Sequence, residues 1–279
     1  MTALLIFGLG YSARALAVRL AAKGWQVSGT SRDGRSGTIA FGDRAAVTAA
    51  IAGADYILSS VPPEGDEDPV LAAYGPPLAE ADAWLGYLSS TGVYGDAGGA
   101  WVDEGSPIGG GRRGARAAAD SAWLAMGARV FRLPGIYGPG RSPLDRIAEG
   151  RAHRIDLPGQ VFSRIHVDDL VSGVIAGLGA PAGAYNLADD LPANQNTVME
   201  RAARLLGRDP PPFAALETLS APARAFYDEN RRVANGKAKR VLGWRPLYPD
   251  YCAGLRALSA MTSPTPASAA PAPASSDQR

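Results

Sequence analysis

Near the amino terminus an apolar run, Ala3-Leu4-Leu5-Ile6-Phe7, passes directly into Gly8-Leu9-Gly10-Tyr11-Ser12-Ala13, and no other feature of the chain limits its fold so tightly. The spacing is G-x-G-x-x-A. Gly8 permits a tight turn, and Gly10 has no Cβ to obstruct a pyrophosphate. A helix opening at Tyr11 and Ser12 turns free N–H groups toward an anion, and Ala13 is small enough for close helix packing. The alternative is an ordinary strand-to-helix turn with incidental glycines. The context argues against it: Ala13, Leu16, Ala17, Leu20 and Ala21 recur at helical spacing up to Gly24, and residues 25–30 read as a second strand.

The alternation continues. Strands are expected at 38–41, 56–61, 84–89 and 129–133, with helices at 44–51 and 113–126, a pattern that builds a parallel sheet wound on both faces. Beyond Gly138 the pattern loosens, with helical pieces near 144–149, 167–178, 197–206 and 251–258. The expected fold is α/β, a Rossmann-type doubly wound parallel sheet with a smaller C-terminal substrate lobe. Its boundaries are 1–140 for the nucleotide-binding domain, with core elements also drawn from 160–190, and 141–258 for the lobe. Residues 259–279, built of Ser, Pro, Ala and Thr, are expected to form a disordered tail.

Composition narrows the function. The chain has 28 basic and 27 acidic residues among 279, so its formal net charge of +1 gives no global attraction to nucleic acid or anionic membrane. No stretch approaches the roughly 20 apolar residues of a membrane span, and the first apolar run reads as a strand and not a signal peptide. Cys252 has no partner thiol, and His153 and His166 are too few for a histidine-built centre, so no metal site is expected and a reducing cytoplasm is the expected compartment. The expected partner is a small-molecule substrate, and a homodimer is compatible with the chain.

The end of the second strand reads Thr30-Ser31-Arg32-Asp33. A dinucleotide fold that prefers NAD usually has an acidic residue here to hold the ribose 2′-hydroxyl, whereas Arg32 suits a 2′-phosphate, with Thr30 or Ser31 adding a hydroxyl. NADP(H) is therefore expected over NAD(H), against the alternative of a solvated arginine beside Asp33 and Arg35. Gly42-Asp43 after the third strand puts a carboxylate either near an adenine or at a helix N-cap.

Six strings in order then show a resemblance. They are Gly8 to Ala13, Leu88-Ser89-Ser90-Thr91-Gly92-Val93-Tyr94-Gly95, the run from Arg132 to Arg141, Arg164-Ile165-His166-Val167-Asp168-Asp169-Leu170, Tyr185-Asn186-Leu187-Ala188-Asp189-Asp190 and Leu242-Gly243-Trp244-Arg245-Pro246. Over residues 1–258 the chain resembles the extended short-chain dehydrogenases, the NAD-dependent epimerase/dehydratase family. The resemblance implies an oxidoreductase or epimerase-like activity on a small carbonyl, hydroxyl or nucleotide-sugar substrate. A cofactor-binding regulatory protein without turnover is the alternative. Ser59, Ser60, Val61 and Pro134 join the cofactor set, while Thr91, Tyr137, Arg141 and His166 form the substrate set.

That family's chemistry uses a Tyr-x-x-x-Lys pair with a Ser or Thr at the end of the fifth strand. Ser90 matches the hydroxyl position. The pair does not match: alignment places Arg112 at the tyrosine and Arg116 at the lysine. A guanidinium stays protonated at neutral pH and cannot relay a proton as a tuned phenol does, although Arg116 can hold ribose hydroxyls and Arg112 an anion or oxyanion. Tyr94 and Tyr137 are the phenols left as acid or base, each with a structural alternative in which it packs its ring and bonds locally. His166 is either near substrate or satisfied by the backbone, and Asp168 is the expected cap of the helix that follows. Arg164, Arg231 and Arg232 are phosphate contacts or solvated surface.

Overall fold

The computed structural model describes residues 1–111 and 114–262. In chain order the elements are β1 (Ala3–Phe7), α1 (Tyr11–Ala21), β2 (Gln26–Ser31), β3 (Ile39–Ala40), α2 (Arg44–Ala52), β4 (Tyr56–Ser59), α3 (Pro69–Glu80), β5 (Trp84–Ser90) and a 3-10 turn (Thr91–Tyr94). Then come β6 (Trp101–Val102), α4 (Gly114–Ala125), β7 (Arg129–Leu133), β8 (Gly135–Tyr137), α5 (Pro143–Ala148), β9 (Arg164–His166), α6 (Val167–Ala176) and β10 (Gly183–Asn186). The last are α7 (Gln195–Leu205), α8 (Ala221–Arg224), β11 (Arg232–Val233), α9 (Gly236–Val241) and α10 (Tyr251–Thr262).

Seven strands form one parallel sheet in the order β10-β7-β5-β4-β1-β2-β3. Strand β1 is buried on both faces, which is why it reads as a continuous apolar run and not an alternation. Leu4 and Ile6 pack with Leu16 and Leu20 of α1 and Leu170 and Val174 of α6. Leu5 and Phe7 point the other way, to Val47 of α2, Tyr74 of α3 and Trp123 of α4. The chain runs outward from β1 to β3 and then returns to β4 on the opposite side of β1, so the topological switch point lies at the C-terminal ends of β1 and β4.

Helix α3 carries Gly75-Pro76-Pro77, a string that reads as a break. Two features offset the prolines. Asp68 caps the helix, accepting from the Val70 and Leu71 amides at 2.9 and 3.1 Å. Pro77 has no N–H for the Ala73 carbonyl, and Arg44 Nη1 donates to that carbonyl instead, at 3.3 Å. Val70, Tyr74 and Leu78 then form the buried stripe.

Elements α6 and β10 return to the main sheet, and the lobe has its own core, in which Tyr137, Leu144 and Ile147 meet Val198, Met199 and Leu255. Trp244, near the end of the chain, lies in the sheet core, donating from Nε1 to Ser172 Oγ at 3.0 Å. The Asp169 carboxylate accepts from the Leu247 and Tyr248 amides at 2.5 and 3.0 Å and fastens this segment to α6. Helix α10 runs to Thr262, past the expected boundary at 258; residues 263–279, where a tail was expected, lie outside the described residues. Among the described residues no helix is long and apolar enough to cross a membrane, and no group of His, Cys, Asp and Glu is placed to hold a metal ion.

Candidate functional site

The Gly8–Ala13 turn sits at the switch point. Gly8 has φ +82, the left-handed region open to glycine, and an added Cβ would lie 2.9 Å from Val61 Cγ2. Its N–H donates to Thr30 Oγ1 at 3.2 Å, and its carbonyl accepts from Ser60 Oγ. The ends of β2 and β4 therefore hold the turn. A Cβ added at Gly10 would meet no protein atom within 4 Å, and α1 begins there with no side-chain cap. The residues present fit a dinucleotide: an open glycine face and an uncapped helix terminus are what a pyrophosphate requires.

The structure divides the other predicted cofactor residues. Thr30 is buried with its hydroxyl used by Gly8, so it supports the turn and is not at hand for a 2′-phosphate. Ser31 Oγ lies 2.7 Å from Thr38 Oγ1 and accepts from the Gly34 amide, which shapes the loop after β2. Arg32 is exposed at the end of β2, while its neighbours Asp33 and Arg35 pair with each other at 2.5 Å. Asp43 takes the N-cap alternative, accepting from the Ala46 amide at 3.1 Å, with Gly42 just before it. Ala13 is buried against the sheet core, Ser12 is in the first turn of α1, and Ser59 is fully buried at the end of β4.

Two cavities lie among the ends of β5 and β7 and the residues of the lobe. The smaller, about 250 Å³, is lined by Ser90, Thr91, Pro134, Arg141 and Glu229 among others; the larger, about 710 Å³, by Tyr137, Arg141, Arg146, Arg164 and Met199 among others. Arg141, Phe162 and Phe226 line both and form the wall between them. Ser90 ends β5 and accepts from the Gly92 amide at 3.1 Å, which sets the turn after the strand. Tyr11 bridges the domains: its hydroxyl donates to the Pro139 carbonyl at 3.1 Å, and the Arg141 guanidinium lies 5.6 Å from its ring centroid.

Several candidates lie elsewhere. Tyr94 is buried, donating to Asn186 Oδ1 at 2.7 Å and accepting from Arg132 Nη1 at 3.0 Å, and burial pushes its pKa up to about 12. It takes the structural alternative, because both sides of the hydroxyl are engaged within the core. Arg116 points to the α3 side of the sheet, where Nη1 donates to the Tyr87 hydroxyl at 3.0 Å, and not to a ribose. Arg112 lies outside the described residues. Tyr137 lines the larger cavity, and burial, with the charge of Asp189, lifts its phenol above the ordinary range.

His166, not Asp168, is the N-cap of α6, its Nδ1 accepting from the Asp168 amide at 3.2 Å. Burial lowers its pKa, and its ring is wedged between Tyr137 and Tyr248. Arg231 and Arg232 are tied to the Gly95 and Gly99 carbonyls, and Arg164 to the Phe162 and Ala193 carbonyls and Gln195. The sequence reading missed Glu229, Phe162 and Phe226. All three lie in irregular stretches that carry no periodic signal, and only the folded lobe brings them to the cleft.

Asp189 is buried beside Arg164, its amide donating to the Arg164 carbonyl at 2.7 Å. Burial pushes its carboxyl up to about 8, against the pull of the Arg164 guanidinium. The native chain then holds a proton that the unfolded chain releases near pH ~4, so stability falls as pH rises across that window, by about 1.4 kcal/mol per unit at the steepest. Asp189→Asn should flatten this slope. Thermal denaturation at about pH 5 and about pH 8 measures it, and an unchanged slope would assign the effect to another group.

The fold is a Rossmann-type sheet with a smaller C-terminal lobe, an arrangement similar to that of the extended short-chain dehydrogenases. No protein-family model matches the chain. A functionally unknown conserved protein from Silicibacter pomeroyi DSS is 41% identical and superposes with a TM-score of 0.83, covering 94% of this chain and 99% of that one. Protein YeeZ of Escherichia coli (strain K12) is 29% identical over 278 residues, 88% of this chain and 96% of its own. The human epimerase family protein SDR39U1 (isoform 2), solved with NADPH, is 20% identical with a TM-score of 0.74, covering 92% and 99% of the two chains. In fold the chain is similar to the extended short-chain dehydrogenase/reductases, NAD-dependent epimerase/dehydratases among them, and by sequence it shares a family with the Silicibacter pomeroyi protein.

Proposed function

We propose that the chain binds NADP(H) at the switch point and acts as an oxidoreductase or epimerase-like enzyme on a small anionic carbonyl, hydroxyl or nucleotide-sugar substrate. One observation carries the cofactor reading. At the end of β2 stands the exposed Arg32, while the neighbouring carboxylate, Asp33, is paired with Arg35. A carboxylate there would repel a 2′-phosphate, and a guanidinium binds it in a charge-assisted, bidentate manner. A nicotinamide dinucleotide held there supplies the site with a hydride donor or acceptor. Gly8 to Ala13 hold the pyrophosphate. Arg141, Arg146, Arg151 and Arg164 outnumber Asp145 and Glu149 on the lining of the larger cavity and favour an anionic substrate.

Titration with NADPH and with NADH, followed by energy transfer from the tryptophans, tests this reading. Arg32→Ala should weaken NADPH binding about 10- to 100-fold, the loss of one charge-assisted contact, and leave NADH binding unchanged. Equal losses for both nucleotides would remove the 2′-phosphate assignment. A second reading, an NADP(H)-binding regulator without turnover, is favoured by Tyr94 and Arg116 being tied into the sheet core. Oxidation of NADPH by carbonyl substrates at a useful rate would exclude it.

A further inference from the structure

The smaller cavity holds Ser90, the hydroxyl expected to bond the reacting oxygen, yet the phenol Tyr94 is turned away from it. A buried carboxylate lines the same cavity. Glu229 Oε1 lies 2.8 Å from the position of a Cβ built on Gly111, so the carboxylate rests against the residue just before 112, where alignment puts the absent tyrosine. Its segment is pinned on each side. Glu229 Oε2 pairs with Arg231 Nη1 at 2.8 Å, and the same nitrogen donates to the Gly95 carbonyl at 2.6 Å. The Glu229 carbonyl accepts from Gln160 Nε2 at 2.9 Å, and the Asn230 amide donates to Asp96 Oδ1 at 2.7 Å. Among the described residues, Arg141 and Arg231 are the other charged groups that line this cavity.

We propose that Glu229 is the proton-transferring residue of this site, in the place that a tyrosine fills in related enzymes. The proposal rests on the NADP(H) reading above. In the oxidation direction the substrate hydroxyl gives its proton to the Glu229 carboxylate. The carbinol C–H bond breaks with its electron pair leaving as hydride to an oxidised nicotinamide, and the C=O bond forms. The proton passes from Glu229 to water. In reduction, protonated Glu229 gives its proton to the carbonyl oxygen as that carbon accepts the hydride. A carboxylate suits this exchange, and Ser90 lines the same cavity.

The test uses the full chain, NADPH and 4-carboxybenzaldehyde, an anionic carbonyl suited to the arginine lining. Glu229→Gln should fold, bind NADPH within twofold of wild type and lose kcat by about 100-fold or more, with Glu229→Asp recovering part of it. Labelling glutamate at the carboxyl carbon with ¹³C gives a readout apart from turnover. The resonance missing from Glu229→Gln should move when the aldehyde is added. A Glu229→Gln variant with kcat within threefold of wild type, a resonance that does not move, or an NADPH-bound wild type without turnover would each overturn the proposal. If wild type does not bind NADPH, the underlying cofactor reading fails, an outcome distinct from the others. Should Glu229→Gln not fold, Glu229→Asp and the wild-type resonance still decide the matter.

Discussion

Asp120→Ala should lower the stability of the chain by about 3–5 kcal/mol, the cost of leaving one member of a buried ion pair alone. Asp120 and Arg132 are 0% and 3% exposed and pair in a two-pronged manner, Nη2 to Oδ1 at 2.7 Å and Nε to Oδ2 at 3.1 Å. Ser89 Oγ donates to the same carboxylate at 2.6 Å. Arg132 Nη1 reaches the Tyr94 hydroxyl, the guanidinium lies 5.1 Å from the Tyr94 ring centroid, and the Tyr94 hydroxyl donates in turn to Asn186. The network joins α4, β5, β7, β10 and the turn after β5. Removing the carboxylate strands a guanidinium that stays charged in a buried site. At about 2–4 °C per kcal/mol for a chain of this size, thermal denaturation should show a loss of roughly 6–20 °C. Combining the change with Arg132→Met should recover much of the loss, since an apolar pair of similar volume has no charge to desolvate. A single variant within about 1 kcal/mol of wild type would mean that water or another group reaches Arg132.

The second large effect falls on binding and not on folding. Gly10 has φ −78 and ψ −168, an extended conformation open to any residue, and nothing lies within 4 Å of an added Cβ. Gly10→Leu should therefore leave stability within about 0.5 kcal/mol of wild type. The same side chain occupies the face on which the pyrophosphate approaches the first amides of α1. Losing two charge-assisted hydrogen bonds there corresponds to at least about 100-fold in NADPH affinity. Gly8 is the opposite case, because its φ of +82 and the nearness of Val61 set any side chain against folding itself. A Gly10→Leu protein that binds NADPH as wild type does would place the cofactor elsewhere.

The parts of this fold that could be read from the chain are those whose cause is local. Strand β1 announces itself because burial on both faces demands an unbroken apolar run, and α1 because Ala13, Leu16 and Leu20 share a helical face. The order of β1, α1 and β2 and the glycine turn between them follow from such signals, and the place of Ser90 from the resemblance of its string to a known family. Helix α3 does not, because Pro76 and Pro77 oppose it locally and Arg44, 29 residues away, makes good the lost hydrogen bond.

Side-chain employment divides along the same line. Residue type and spacing brought Thr30, Tyr94, Arg116 and Glu229 no nearer to an assignment than chemistry allows, since each can serve the core or the cleft equally well. Gly8 claims the hydroxyl of Thr30, Asn186 and Arg132 claim that of Tyr94, and Tyr87 claims Arg116, all across long stretches of sequence. Glu229 meets Gly111 only because the lobe folds back over the end of β5. The chain alone determined its class, a parallel sheet with a dinucleotide turn, because periodicity and glycine geometry act over a few residues. Which polar groups are left facing the cleft was decided by tertiary structure, because a buried donor or acceptor must find its partner wherever the fold puts one.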